Sequence, residues 1–250
     1  MSQSRHILGV RVDATSYTRA TDQILEWAGH RVSRLVCCAS VNNIMAARDS
    51  ADFREVMANA DLVTSDGMPL VWLLRRFGIH DAERVYGPNL MPAVLEAAAK
   101  SGVPIGLYGG GAEVLSRLVE RLAARFPELT IAYTESPPFR APTPEEDDRT
   151  TLAIAKSGVR ILFIGLSTPK QERWMYAHRG RVDAVMLGVG AAFDFLAGSK
   201  PQAPRWMQNS GLEWLFRLAT EPRRLWRRYL GQNPRFAVLA LAQVLRERFP

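Results

Sequence analysis

The sequence predicts an α/β fold, a mostly parallel sheet flanked by helices and followed by a basic helical appendage. Three observations carry this. Short β-branched runs alternate with helix-like stretches over the first 190 residues. Five of the predicted strand exits carry glycine, amide, acid or lysine groups. Beyond residue 190 the pattern changes to Trp/Arg-rich helical pieces separated by Pro201, Pro204, Pro222 and Pro234.

The candidate strands, in order, are Ile7–Val12, Leu35–Ala39, Leu62–Thr64, Ile105–Tyr108, Thr130–Tyr133, Val159–Ile164 and Ala184–Leu187. Between them, "TRATDQILEWAGH" places Ile24, Trp27 and Ala28 at helical spacing. "GAEVLSRLVERLAARF" puts Val114, Leu118, Leu122 and Phe126 on one stripe. "PTPEEDDRTTLAIAKSG" opens with Thr143 and Pro144, has acids in its first turn and stops at Gly158. "STPKQERW" sets Pro169 near a helix start, with Ser167 or Thr168 as the expected cap. This organisation reads as a Rossmann-like core over residues 1–200 and an appendage over 201–250 that is not an independent domain.

At 250 residues and 47% hydrophobic, the chain is long enough for one substantial core. No apolar run of about 18 residues predicts a transmembrane helix, and the N-terminus lacks the apolar stretch of a signal peptide. Cys37 and Cys38 are adjacent in an apolar run, which suits buried thiols in a reducing cytoplasm better than a disulfide or zinc site. The net charge of +7 is local: residues 201–250 hold nine Arg against three Glu. Such a tail points to a polyanion, whether lipid headgroup, diphosphate or nucleic acid.

In a parallel sheet every strand exit lies on one edge, where open α/β sheets bind ligands. The groups gathered there are Ser40 and Asn42, Asp66 and Gly67, Gly109, Gly110 and Gly111, then Gly165, Lys170, Gln171 and Glu172, then Gly188, Gly190 and Asp194. Each admits a plainer reading. Asp66-Gly67 is also ordinary turn chemistry. The glycines at 109–111 can offer N–H groups to a phosphate or simply let a helix pack. Lys170 is placed to reach a phosphate and Gln171 or Glu172 sugar hydroxyls, or all three form a charged first turn. Asp194 is a ligand or a hydrogen-bonded acid that shapes its loop. No D-x-D pair, H-E-x-x-H, G-x-S-x-G, G-x-G-x-x-G or P-loop is present, and the four histidines are scattered. A lone Asp base that needs no metal or other cofactor is what remains.

At these residues the chain resembles the WecG/TagA/CpsF family of glycosyltransferases, from about residue 5 to about residue 236. The motifs are "SVNNIMAARDSADFREVMANADLVTSDGMPLVW", "RVYGPNL", "LFIGLSTPKQERWM" and "GVGAAFDFLAGSKPQAPRWMQNSGLEWLFRLATEPRRLWRRYL". The resemblance implies a cytoplasmic, metal-independent, inverting transferase. It would move N-acetylmannosamine, its uronate or glucose from a UDP-sugar to a polyprenyl-diphosphate-linked saccharide at the inner membrane leaflet. It implies Asp66 as the general base, Ser40 and Asn42 at the Thr-x-Asn motif, and Arg84, Gly87 and Asn89 in a substrate-binding segment. Two positions depart from the family pattern: Asn89 stands where an acid is usual, and Gln202-Ala203-Pro204 replaces an Arg-Ala-Pro motif, with Arg205 close by.

The tail has its own physics. Arg217, Arg223, Arg224, Arg227 and Arg228 alternate with Trp214, Trp226 and Tyr229. Arginine forks suit diphosphate, Trp and Tyr suit the headgroup region, and "RFAVLALAQVL" is too short to span a bilayer. Together with Arg205 these arginines are expected to meet a lipid diphosphate or anionic membrane. The alternative is a helical pair packed on the core with a solvated Arg face. The rival function, a nucleic-acid-binding protein, lacks a recognition motif, so no nucleic-acid partner is expected. Apolar tail residues also leave room for a homo-oligomer interface.

Overall fold

The computed structural model describes residues 3–248. The chain opens with β1 (Ser4–Ile7) and β2 (Val10–Asp13), an antiparallel pair with Ile7 opposite Val10. Ile7–Val12 was expected as one strand. It is instead a hairpin, because Leu8 (φ 49°) and Gly9 (φ 90°) take consecutive left-handed conformations that reverse the chain in two residues. Leucine at the first of them is not a turn signal, which is why the sequence reads straight through.

After helix α1 (Tyr17–Gly29) the main sheet begins. It is built from β3 (Arg34–Ala39), β4 (Leu62–Ser65), β5 (Ile105–Gly109), β6 (Ile131–Glu135), β7 (Ile161–Gly165) and β8 (Val185–Gly188). All pairings are parallel and the strand order is β4-β3-β8-β7-β5-β6. The crossovers use α2 (Val41–Asp49), α3 (Ala51–Ala58), α4 (Met68–Arg76), α5 (Gly87–Lys100), α6 (Ala112–Arg125), α7 (Pro144–Ser157) and α8 (Lys170–Ala177). Alternate strand residues face opposite layers. Leu35, Cys37, Leu162 and Met186 pack into one buried cluster, while Val36, Cys38, Phe163 and Leu187 pack into the other. Burial on both faces explains why these strands are apolar almost throughout.

The local signals act as their chemistry dictates. Thr143 and Glu146 form a reciprocal capping box on α7, which ends at left-handed Gly158. The α8 start differs from expectation. Pro169 itself takes the cap position, Thr168 Oγ1 donates to Glu172 at 2.8 Å, and Ser167 has φ 66°. The buried Glu172 carboxylate takes the hydroxyl that would have capped the helix.

After β8 come α9 (Ala192–Leu196), α10 (Arg205–Asn209), α11 (Glu213–Thr220) and α12 (Pro222–Arg248). The last of these folds back over the exit edge of the sheet. Phe236 and Ala240 are buried in the same cluster as Ile44 and Leu70. Gln243 accepts from Leu8 N–H at 2.9 Å and donates to His6 O at 2.7 Å, and Arg235 pairs with Asp49 at 2.6 Å.

Candidate active site

A cavity of about 590 Å³ opens where β3, β4, β7 and β8 end, beneath α11 and α12. The chain runs outward from β3 to β4, then returns through β7 to set β8 beside β3. The site therefore sits at the reversal of strand order, where exits splay apart and leave a crevice.

Asp66 is held by the turn that leaves β4. Thr64 Oγ1 donates to Val85 O at 2.9 Å, and Ser65 Oγ donates to Glu83 O at 2.7 Å. The Asp66 N–H donates to Ala39 O at 2.9 Å, which ties the turn to the end of β3. Its carboxylate Oδ2 accepts from the Gly87 N–H at 3.0 Å, and Oδ1 has no protein partner among the described residues. A Cβ added at Gly87 would meet Val189 O at 3.4 Å and Cys38 Sγ at 3.5 Å, ordinary contact distances, so the start of α5 is closely packed against β3 and the β8 exit. Burial pushes the Asp66 carboxyl from 3.8 up to about 7, against the pull of Arg84 and the Gly87 hydrogen bond. The neighbouring Cys38 thiol is pushed up to about 12, first by burial and then by the Asp66 charge, so it stays protonated.

Arg84 threads the same region. Its Nε donates to Asp66 O, Nη1 to Gln208 O at 3.2 Å and Nη2 to Glu213 at 2.5 Å. Each guanidinium nitrogen thus has a protein acceptor.

The opposite wall belongs to the tail. Arg217, Arg224 and Arg228 line the cavity together with Trp214, Tyr229 and Gln232. Arg224 is paired with Glu221 at 2.7 Å. Arg217 Nε, Arg228 Nε and Gln232 Oε1 are buried without a hydrogen-bond partner. Three polar atoms left unsatisfied in one wall are what an anionic, hydroxyl-bearing ligand would satisfy.

The structure brings Ser40, Asn42, Asp66, Gly67, Arg84, Gln171, Gly188, Gly190, Asp194, Arg217, Arg224 and Arg228 to this one cavity. Ser40 shares its hydroxyl with Asn43 Oδ1 at 2.9 Å. Gln171 Oε1 accepts from Gly190 N–H at 3.1 Å, while a side chain at Gly188 would collide with Gln171 Nε2 at 2.9 Å. Asp194 is paired with Lys200 at 3.3 Å.

The other predicted residues lie elsewhere. Glu172 is fully buried behind Gln171, where its Oε1 accepts from Asn43, Thr168 and Gln171 at 2.9, 2.8 and 3.0 Å. Gly109 has φ 124°, and a Cβ there would meet the Gly165 backbone at 2.7 Å. A Cβ at Gly165 would in turn meet the Phe193 ring at 2.8 Å, so both glycines are demanded by packing. Gly110 accepts from Ser136 Oγ through its carbonyl, and Gly111 caps α6. Asn89 is exposed, with Nδ2 at 3.5 Å from Tyr17 Oη. Lys170, Arg205, Arg223 and Arg227 are exposed and lie outside the cavity lining.

Sequence reasoning missed four residues: Asn43, Tyr86, Glu213 and Gln232. Asn43 sits inside a quoted motif beside Asn42, and its burial at 1% exposure is invisible in one dimension. Glu213 was one of only three acids in a basic tail, which was the available signal.

The profile of the WecG/TagA/CpsF glycosyl transferase family matches residues 5–250. The chain belongs to that family. It is therefore a glycosyltransferase of cell-surface polysaccharide synthesis, in a family whose reaction joins a sugar donor to a lipid-linked acceptor. Among the described residues no helix is long and apolar enough to cross a membrane.

Proposed function

We propose that this WecG/TagA/CpsF protein is an inverting, metal-independent transferase. It moves a hexosyl group, N-acetylmannosaminyl, its uronate or glucosyl, from a UDP-sugar to a polyprenyl-diphosphate-linked saccharide. The observation that carries this is Asp66, a carboxyl raised to about 7 at the strand-exit wall of a cavity whose opposite wall is arginine. A base is most useful when its pKa lies near the working pH. Asp66 takes the proton from an acceptor hydroxyl as that oxygen bonds to the anomeric carbon. The bond from that carbon to UDP breaks on the opposite face, and the electron pair leaves with the diphosphate. Inversion needs one such base.

The tail arginines supply the counter-charge for a diphosphate. Asn42 and Gln171 orient sugar hydroxyls. Residues 201–250 act as an appendage to the 1–200 core that closes the acceptor side. Trp226, Leu230, Val238 and Leu241 are exposed at helical spacing along α12, with Arg223 and Arg227 beside the first of them. This supports peripheral docking on the anionic cytoplasmic leaflet.

The test is a donor screen. The protein is incubated with a short-chain polyprenyl-diphosphate saccharide, EDTA and a panel of UDP-sugars, and UDP and extended lipid are read by mass spectrometry. Extension with one donor supports the reading and names the sugar. Turnover that appears only when a divalent metal is restored refutes the metal-independent mechanism. Docking is refuted if protein lacking the tail still sediments with anionic vesicles.

A further inference from the structure

Glu213 belongs to α11 in the appendage, yet its carboxylate lies within the strand-exit network. One oxygen accepts from Arg84 Nη2 at 2.5 Å, and the other accepts from Tyr86 Oη at 2.6 Å. The Arg84 and Glu213 side chains are 13% and 12% exposed, so the pair is largely removed from solvent screening. Arg84 also lies over the Tyr86 ring, 4.1 Å from its centroid, and its Nη1 reaches Gln208 O on α10. Its Nε holds the carbonyl of Asp66 itself. One guanidinium therefore spans from the Asp66 backbone to two helices of the tail.

We propose that Glu213 is a positioning residue for the catalytic base, fixing Arg84 across the Asp66 turn and so tying the protonation of Asp66 to the seating of the C-terminal tail. This rests on Asp66 being the base. The ionisable groups facing Asp66 are Tyr17 from α1, Cys38 from β3, Arg84 and Tyr86 from the segment before α5, and Glu213 and Arg217 from α11. Of these, Glu213 is the carboxylate, and its charge raises the Asp66 pKa while Arg84 and Arg217 lower it. When the Glu213 charge is lost, Arg84 is left facing Asp66 without its counter-ion, and both changes favour the carboxylate. A tail that lifts away removes Glu213 and Arg217 together and admits water to Asp66, so the titration of Asp66 also reports how the tail is seated.

The test uses the full chain and needs no substrate. Asp carboxyl carbons are labelled with carbon-13, and the resonance missing in Asp66→Asn is assigned to Asp66. Its titration is then compared in the unaltered protein, Glu213→Gln and Glu213→Asp. The Gln variant keeps an acceptor for Tyr86 but loses the charge, while the Asp variant keeps the charge on a shorter stem. The expected result is a midpoint lowered by about half a pH unit or more in Glu213→Gln and little moved in Glu213→Asp. Trypsin is also expected to cut the Gln variant several-fold faster at the exposed Arg223 and Arg227. An unmoved midpoint in Glu213→Gln overturns the proposal. So does a larger change in Glu213→Asp than in Gln, the order a purely steric role requires. If the Gln variant does not fold, a clear fall of the midpoint in Glu213→Asp overturns it and a midpoint that stays supports it. Normal turnover by Asp66→Asn would instead sink the base assignment and leave the titration result standing.

Discussion

Replacing Asp66 by Asn should cut turnover steeply and at the same time stabilise the protein. The carboxyl rises from 3.8 to about 7 on folding, chiefly because burial penalises its charged form. The sign follows from linkage: an acid with a raised folded pKa makes ionisation costly in the native state. Below about pH 4 both states are protonated and the cost is absent. It grows between about pH 4 and about pH 7, where the unfolded chain ionises and the native one does not, and is flat above. At roughly 1.4 kcal/mol per tenfold change in proton affinity, the ceiling is about 4 kcal/mol. Asp66 is only half-buried, and solvent reaching its free oxygen reduces the expected gain to about 2 kcal/mol. Asn keeps a carbonyl oxygen for the Gly87 N–H, so no new orphan is created. For a chain of this length that gain is a rise of about 4–8 °C in Tm at pH 8. The assay is thermal or urea unfolding of both proteins at pH 8 and at about pH 4.5, with turnover measured at pH 8. Turnover should fall by about 10²–10⁴. A variant equally stable or less stable at pH 8, or a gain of the same size at both pH values, would refute the burial account of Asp66.

The same carboxyl predicts that kcat/KM of the unaltered enzyme falls tenfold per unit on the acid side of about pH 7, which a pH–rate profile checks. Arg228→Ala should raise the KM for the lipid-linked acceptor about ten- to a hundredfold with the donor KM little changed, since a diphosphate contact made through one arginine fork is worth about 1.5–3 kcal/mol. Gly109→Ala should cost at least about 2 kcal/mol, because the site combines φ 124° with a 2.7 Å approach to Gly165. Gly111→Ala, with no atom within 4 Å, should be nearly silent, and paired Tm measurements separate the two. Glu172→Ala should destabilise by about 3 kcal/mol or more, leaving the Asn43 and Gln171 amides without their shared acceptor, as urea unfolding would show.

Period and punctuation are local properties, and these were legible without coordinates. The β/α alternation predicted the parallel sheet, and Thr143, Pro144 and Gly158 marked the limits of α7. Once the sheet is parallel, geometry alone brings Ser40, Asp66, Gln171 and Asp194 to one edge. Asp66 stood out as the candidate base from its place at that edge and from the motif around it. The hairpin at Leu8-Gly9 was not legible, because a leucine in left-handed backbone is held by what packs around it. Nor was the division of labour among neighbours. Gln171 and Glu172 are adjacent in sequence, yet α8 turns one toward the cavity and buries the other behind it. Tertiary packing likewise assigned Gly109 and Gly165 to each other, and divided the arginines into those facing the cavity and those facing solvent. The pKa of Asp66 and the placement of Glu213 depend on burial and on contacts between residues far apart in the chain. The sequence by itself therefore determined the architecture and the edge where chemistry gathers. Only the tertiary structure decided which side chains enter the cavity, how strongly Asp66 holds its proton, and that a tail acid is locked beside it, because desolvation and long-range charge exist only once the chain has closed on itself.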